Sequence, residues 1–457
     1  MFERAGLAPD SPSAPAKASV SPVTSVSKEF ALARSFLDSM LQTERATQDE
    51  LDAYQGELLA RLCRHAAENV PFYRGRCFPD TPAGAASRDW AGQPFVTRSD
   101  LAGRFAEFRA TQFPASHGAS HAIQTGGSTG RPARRDMSSL ESLARIVCTY
   151  RMFLAWQLDM SRPLYMLRKP QLGSDRIDGP AFRKWGFPWL DEDTLGARRY
   201  VDIETAPAAQ LRQLADAAPV YVNTLPSNIL RLGLEARRTG LAPSIPFIVS
   251  VAEFLSPEVK SLAAEVFASR LINILSSAEG GVIAIECPES GLMHVQSEQV
   301  LSEIIGEDGN ACRPGEVGEL VVTPLYNYVT PLIRYRTGDF VEQGPSCPCG
   351  RVLPTIARVV GRREHMFLFA DGTRALPPVD RVRITELLGH EQWVLAQTGA
   401  GTAELRVAGQ DAGARAPDAL HEVSAALGDG FDLKIREVAS LPLTSGGKRH
   451  FTVNELS

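Results

Sequence analysis

The chain has 457 residues, 44% hydrophobic and 22% charged, proportions of a globular protein that exclude a disordered or fibrous polymer. Lysines and arginines total 48 against 53 acidic residues, a formal charge of −5 with no basic block, so nucleic acid is not an expected partner. No apolar run reaches the length of a membrane span and residues 1–28 lack a signal-like core, so no membrane partner and a cytoplasmic location are expected.

In chain order, Ala8 to Ser27 carries four prolines and six serines with little to bury, and residues 1–28 are expected to form a flexible tail. Helical periodicity begins near Phe30 and recurs over Leu51–Asn69, where Leu58, Leu59, Leu62 and Ala66 share a stripe that Pro71 ends. From there to Gly361, helix-like stretches (Leu140–Leu158, Ala208–Ala217, Ser256–Ala268) alternate with strand-like runs. These runs are Val220–Asn223, Pro246–Val251, Leu271–Leu275, Gly281–Glu286 and Gly318–Thr323. The alternation predicts an α/β fold with parallel strands, in a large multi-sheet N-terminal domain over 29–361. After Arg362, strands near Met366–Phe369, Gln392–Ala396, Glu404–Val407 and Leu433–Glu437 and helices near Val379–Leu388 and Pro417–Leu427 predict a small α+β domain over 362–457.

Four segments carry chemistry-bearing residues. Gln124-Thr125-Gly126-Gly127-Ser128-Thr129-Gly130-Arg131-Pro132 gathers glycines and hydroxyls that suit a phosphate, with Arg131, Arg134 and Arg135 as nearby cations. A plain surface turn is the alternative, and no Gly-Lys-Ser/Thr makes it a Walker loop. Thr330–Asp339 ends on an acid, Asp339, placed to accept from sugar hydroxyls as acids do in other nucleotide sites; a turn with a solvated salt bridge is its alternative. Pro442–Arg449 sets two glycines before Lys448, a loop able to carry an ammonium onto a phosphate, against the alternative of an exposed lysine without a role. Finally Cys287, His294, Cys347 and Cys349 offer three sulfurs and an imidazole, a tetrahedral zinc set with no open position for catalysis. Cys63, Cys77, Cys148 and Cys312 lack such spacing and read as packed thiols.

Taken together and in this order, the segments resemble the adenylate-forming ligases, specifically the phenylacetate–CoA ligase branch, from about residue 50 to the C-terminus. Further matching pieces are Asn69-Val70-Pro71-Phe72-Tyr73, Pro226-Ser227, Ala252-Glu253, Cys-Pro-Cys-Gly-Arg at 347–351 and Gly361-Arg362. The resemblance implies ATP-dependent activation of a carboxylic acid, aryl or arylacetic in type, to an acyl-adenylate with release of pyrophosphate. Transfer to a thiol, coenzyme A or a carrier-protein phosphopantetheine, follows; an amine acceptor or a catalytically weakened ligand-binding descendant are the alternatives. It implies a mobile C-terminal lid hinged near Arg362–Glu364, a homodimer, and zinc in the Cys/His set. By the same resemblance Thr125, Gly126, Gly127, Ser128, Thr129 and Gly130 hold the pyrophosphate end of ATP, and Ser276 and Ser277 contact the nucleotide. Asp339 takes the ribose, Arg362 the ribose or phosphate, Glu279 binds magnesium, and Lys448 bridges carboxylate and α-phosphate. Ala252, Glu253, Leu275 and Ala278 are expected to line the acid pocket. One departure stands out: where relatives have Tyr-Gly-x-Thr-Glu, this chain has Leu275-Ser276-Ser277-Ala278-Glu279, which removes an aromatic that lies against adenine and a hydroxyl. Each loss weakens binding by about 1 kcal/mol.

Overall fold

A computed structural model describes residues 28–76, 78, 88–124, 134–168, 184–187, 189–389, 392–409, 412–441 and 448–456. The expected tail, the Thr125–Gly130 loop with Arg131, Cys77 and the Gly446-Gly447 pair before Lys448 lie outside the described residues.

Eleven strands join in one sheet. From one edge the order is Val300–Ile305, Val317–Pro324, Tyr335–Gln343, Thr355–Arg362, Met293–Val295, Gly281–Glu286, Arg270–Ser277, Phe247–Val251, Tyr221–Thr224, Leu164–Arg168 and Arg198–Asp202. The last five strands are mutually parallel, as the alternating pattern predicts. Helices Pro207–Ala217, Pro226–Thr239 and Pro257–Phe267 supply their crossovers, each with proline in its first turn, where the missing N–H costs nothing. Each ends on a left-handed residue, Ala218, Gly240 and Ala268, that turns the chain back to the sheet.

The other half departs from the expected parallel layout. From Gly281 to Arg362 every neighbouring pair is antiparallel. Connections there run from four residues (296–299) to eleven (306–316), too short for the dozen or so that a parallel crossover needs. Asp339, expected at a strand-turn, lies inside the strand Tyr335–Gln343, next to Gly338 at φ +77°. Two buried groups fix this region against the N-terminal helices. Tyr73 accepts from the N–H of Ile333 at 3.0 Å and donates to the carbonyl of Pro331 at 3.2 Å. Arg334 pairs with Glu303 at 2.8 Å and donates to the carbonyls of Trp90, Ala91 and Gln93.

After the short turn Arg363–His365 the chain builds a second, four-stranded sheet in the order Asp432–Glu437, Thr402–Val407, Trp393–Gly399, Thr452–Asn454, covered by helices Arg381–Leu388 and Ala412–Leu427. Its core is continuous with that of the larger lobe: Leu230, Leu262 and Phe267 share one apolar cluster with Ile384, Leu388 and Val423. Arg237 reinforces the junction, reaching Glu265 in its own lobe and Glu386 in the other, each at 2.6 Å. Among the described residues no helix is long and apolar enough to cross a membrane.

Candidate active site

The parallel strands end on one side of the large lobe, the place where open α/β sheets hold ligands. Beyond Phe247–Val251 come Ala252, at φ +69°, and Glu253; beyond Arg270–Ser277 come Ala278 and Glu279. The antiparallel half adds Asp339, Val359, Gly361 and Arg362, and the smaller lobe adds Lys448 to Thr452. They enclose a crevice of about 200 Å³. Ala252, Glu253, Leu275, Ser276, Ser277, Ala278, Glu279, Asp339, Arg362 and Lys448, all named from the sequence, line this one space. The Thr125–Gly130 loop is outside the described residues; the strands flanking it, Ser120–Gln124 and Arg134–Ser138, pair antiparallel.

Charge is arranged in pairs around the crevice. Arg362 Nε lies 2.8 Å from Asp339 Oδ1, and this neighbour raises the guanidinium pKa above its ordinary value. Glu253 is the joint between lobes. It accepts from the N–H and Oγ of Ser227, at 2.8 and 3.1 Å, and from the N–H of Arg449 at 3.1 Å. Burial raises the Glu253 carboxyl pKa. Both oxygens are thus engaged, and the segment carrying Lys448 is tied down at the adjacent residue. Burial and the nearby Arg362 lower the Lys448 pKa, opposed by Glu253, Asp339 and Glu279.

Glu279 is buried, with the Tyr335 hydroxyl donating to its Oε1 at 3.3 Å. Its turn is clamped from behind: Arg145 donates to the carbonyls of Ala278 and Glu279 at 2.8 and 3.2 Å, and Arg135 to that of Ala278 at 2.9 Å. Arg135, expected as a cation beside the phosphate loop, is instead fully buried and ion-paired with Glu141. Taking a guanidinium out of water requires that partner, so its charge is not offered to a ligand. Arg134 turns to Asp136 at 3.3 Å.

Cys287, His294, Cys347 and Cys349 converge, their ligand atoms all within 4.8 Å of one another. Cys287 and Cys347 sulfurs are 3.8 Å apart, and Cys349 Sγ is 3.3 Å from His294 Nε2. Tetrahedral zinc, with bonds of about 2.3 Å to sulfur and 2.0 Å to nitrogen, sets such atoms about 3.5–3.8 Å apart, so the donor set fits it.

A phenylacetate–coenzyme A ligase of Thermus thermophilus is 28% identical over 384 residues, 80% of this chain and 83% of that protein. Another, from Aromatoleum evansii, is 28% identical over 343 residues, 71% and 73% of the two chains. Over most of its length this chain is similar to phenylacetate–coenzyme A ligases. No family model matches it. Among solved structures, 2-hydroxyisobutyryl-CoA ligase in the postadenylation state superposes with a TM-score of 0.69 at 20% identity, covering 91% of each chain. The same enzyme in its thioesterification state, with CoA, gives 0.60. The chain thus shares the fold of that ligase across both lobes.

Several crevice residues carry no signal in the sequence. Arg98, His365, Arg381, Arg449 and His450 also line it. His365 and His450 stack with ring centroids 4.7 Å apart, joining the inter-lobe turn to the Lys448 segment. Arg449 ends the Pro442–Arg449 segment but has no assigned role there; Arg98 comes from helix Arg98–Phe108 of the large lobe, and His365, Arg381 and His450 are brought in by the smaller lobe. Chemically, the crevice concentrates cations, three carboxylates and hydroxyls in a half-dry space, an arrangement suited to bringing two anions together.

Proposed function

We propose that this chain activates a carboxylic acid with ATP, forming an acyl-adenylate and pyrophosphate, and then transfers the acyl group to coenzyme A. The observation that carries it is Lys448, drawn from near the C-terminus into a crevice that also holds Glu279, Asp339 and Arg362, by the bond from Arg449 to Glu253. In this reading Asp339 receives the ribose hydroxyls, with Arg362 beside it, and Ser276 and Ser277 face the nucleotide. Thr125–Gly130 hold the pyrophosphate end. The Lys448 ammonium lies between carboxylate and α-phosphate and offsets their repulsion, so attack proceeds by positioning and charge neutralisation without a covalent enzyme intermediate. Glu279 is the residue to hold magnesium, which supplies further neutralisation of phosphate charge when bound. Residues 362–457 act as the lid, leaving after adenylation to admit the thiol.

Apolar lining from Leu230, Leu255, Ile274 and Leu275, with relatives that act on phenylacetate, supports an aryl or arylacetic acid. The four-ligand Cys/His set is a structural zinc site, since its complete shell leaves no position open for a reacting group and none of its residues lines the crevice. The test is pyrophosphate release over a panel of carboxylic acids, with and without coenzyme A, for wild type and Lys448→Ala. Acid-dependent release that collapses in the variant supports the reading; an unchanged rate refutes the role of Lys448. Product mass in the presence of coenzyme A or of amines identifies the acceptor.

A further inference from the structure

Helix Arg381–Leu388 of the smaller lobe puts its first residue into the crevice wall, beside Phe254, Leu255 and Leu376. The Arg381 guanidinium lies 5.1 Å from the ring centroid of Phe254, in the large lobe, and 5.3 Å from that of Phe451, in the small one. Its backbone N–H points to Glu258 Oε1 at 3.5 Å, but among the described residues no carboxylate forms an ion pair with its side chain and no acceptor takes its donors. That is unlike the arginines of the interior: Arg135 pairs with Glu141, Arg151 with Glu298 and Arg334 with Glu303. Burial lowers the Arg381 pKa, with Glu258 and then Glu253 acting to keep it charged. The side chain is half-buried, so its donors stay open at the crevice wall while the two aromatic faces engage only the plane of the guanidinium. Its fork of donors matches paired oxygens.

We infer that Arg381 is a ligand-binding residue that receives an oxyanion of the molecule filling the crevice, a phosphate of the nucleotide or a second carboxylate carried by the acid. The inference rests on the ATP-dependent reading above. Arg381 and Lys448 line the same crevice from two separate parts of the smaller lobe, the start of helix Arg381–Leu388 and the segment 448–452. Because Arg381 belongs to the smaller lobe, the same oxyanion also helps hold that lobe in the arrangement that presents Lys448.

The test uses the full chain as wild type, Arg381→Met and Arg381→Lys. Calorimetry with magnesium–ATP, AMP and adenosine is paired with pyrophosphate release from monocarboxylic and dicarboxylic acids. A nucleotide phosphate as the source predicts a loss of about tenfold or more in ATP or AMP affinity in Arg381→Met with adenosine unaffected, and Arg381→Lys in between. A second carboxylate predicts the same loss only for dicarboxylic acids. Unchanged behaviour with every ligand overturns the inference, as does equal weakening of adenosine, which would make the arginine a reader of the base. A wild type that binds no ATP instead overturns the reading on which the inference rests, and the inference with it. Should the variants fail to fold, wild-type Arg381 is followed by peptide mass during phenylglyoxal treatment. Protection by ATP, AMP or a dicarboxylic acid but not by adenosine supports the assignment, and equal modification with and without all of them overturns it.

Discussion

Glu253→Gln isolates the inter-lobe tether with almost no change in shape. Glu253 Oε2 accepts the Ser227 N–H, while Oε1 accepts both the Ser227 hydroxyl and the Arg449 N–H. A glutamine has one acceptor oxygen, so its amide nitrogen must face either the Ser227 N–H or the Arg449 N–H, donor against donor. The Ser227 hydroxyl can rotate to accept, whereas backbone N–H groups cannot. The bond of least constraint is the one to the separate lobe, and losing a hydrogen bond to a charged acceptor costs about 1.5–3 kcal/mol. At about 1.4 kcal/mol per factor of ten, the population with Lys448 docked falls about 10- to 100-fold relative to undocked arrangements. Acid-dependent pyrophosphate release should drop by up to that factor. Transfer from supplied acyl-adenylate to coenzyme A, measured in a single turnover, should drop far less, because it does not call on docked Lys448. Ser227→Ala is the control: it removes a bond wholly inside the large lobe and should lower thermal stability by about 1 kcal/mol while leaving the ratio of the two half-reactions unchanged. Equal loss in both half-reactions, or undiminished pyrophosphate release, would refute the tether.

The remaining predictions address charge, metal and nucleotide. The charged form of Lys448 is the one that bridges two anions and its pKa is lowered by burial and by Arg362, so pyrophosphate release should be intact on the acid side of that pKa and fail as pH rises through it. This alkaline limb should lie below that of an ordinary lysine, and Lys448→Arg should move it upward in a pH–rate profile; an unmoved limb assigns it to another group. Elemental analysis should find about one zinc per chain, and Cys349→Ser should lower folded yield and melting temperature, whereas a metal-free preparation of equal stability would defeat the zinc assignment. Leu275→Tyr restores an aromatic at the crevice wall and should tighten ATP by about 1 kcal/mol, roughly fivefold in KM; no change would place the base elsewhere.

The parallel half of the sheet was legible because buried strands such as Phe247–Val251 are apolar runs bounded by prolines and helical stripes. The antiparallel half was not: Met293–Val295 is too short to show a period, and Tyr335–Gln343 carries charges that read as a turn until Arg334 is seen buried beside it. In the crevice, residues within motifs could be named from the chain, since spacing carries their chemistry. The bond from Arg449 to Glu253 spans 196 positions and leaves no local trace. Arg135 misled for the opposite reason: an arginine beside a glycine-rich loop invites a phosphate, and only its pairing with Glu141 shows that its charge is neutralised from within.

The apolar seam from Leu262 to Leu388 has a kinetic meaning. On the proposed lid motion, the smaller lobe must split this oily contact and the Arg237 bridge, wet both faces, and dry them again before the next cycle. Chemistry on the acid can then be rapid while reopening sets the pace, so the first equivalent of pyrophosphate would emerge as a burst ahead of the steady rate.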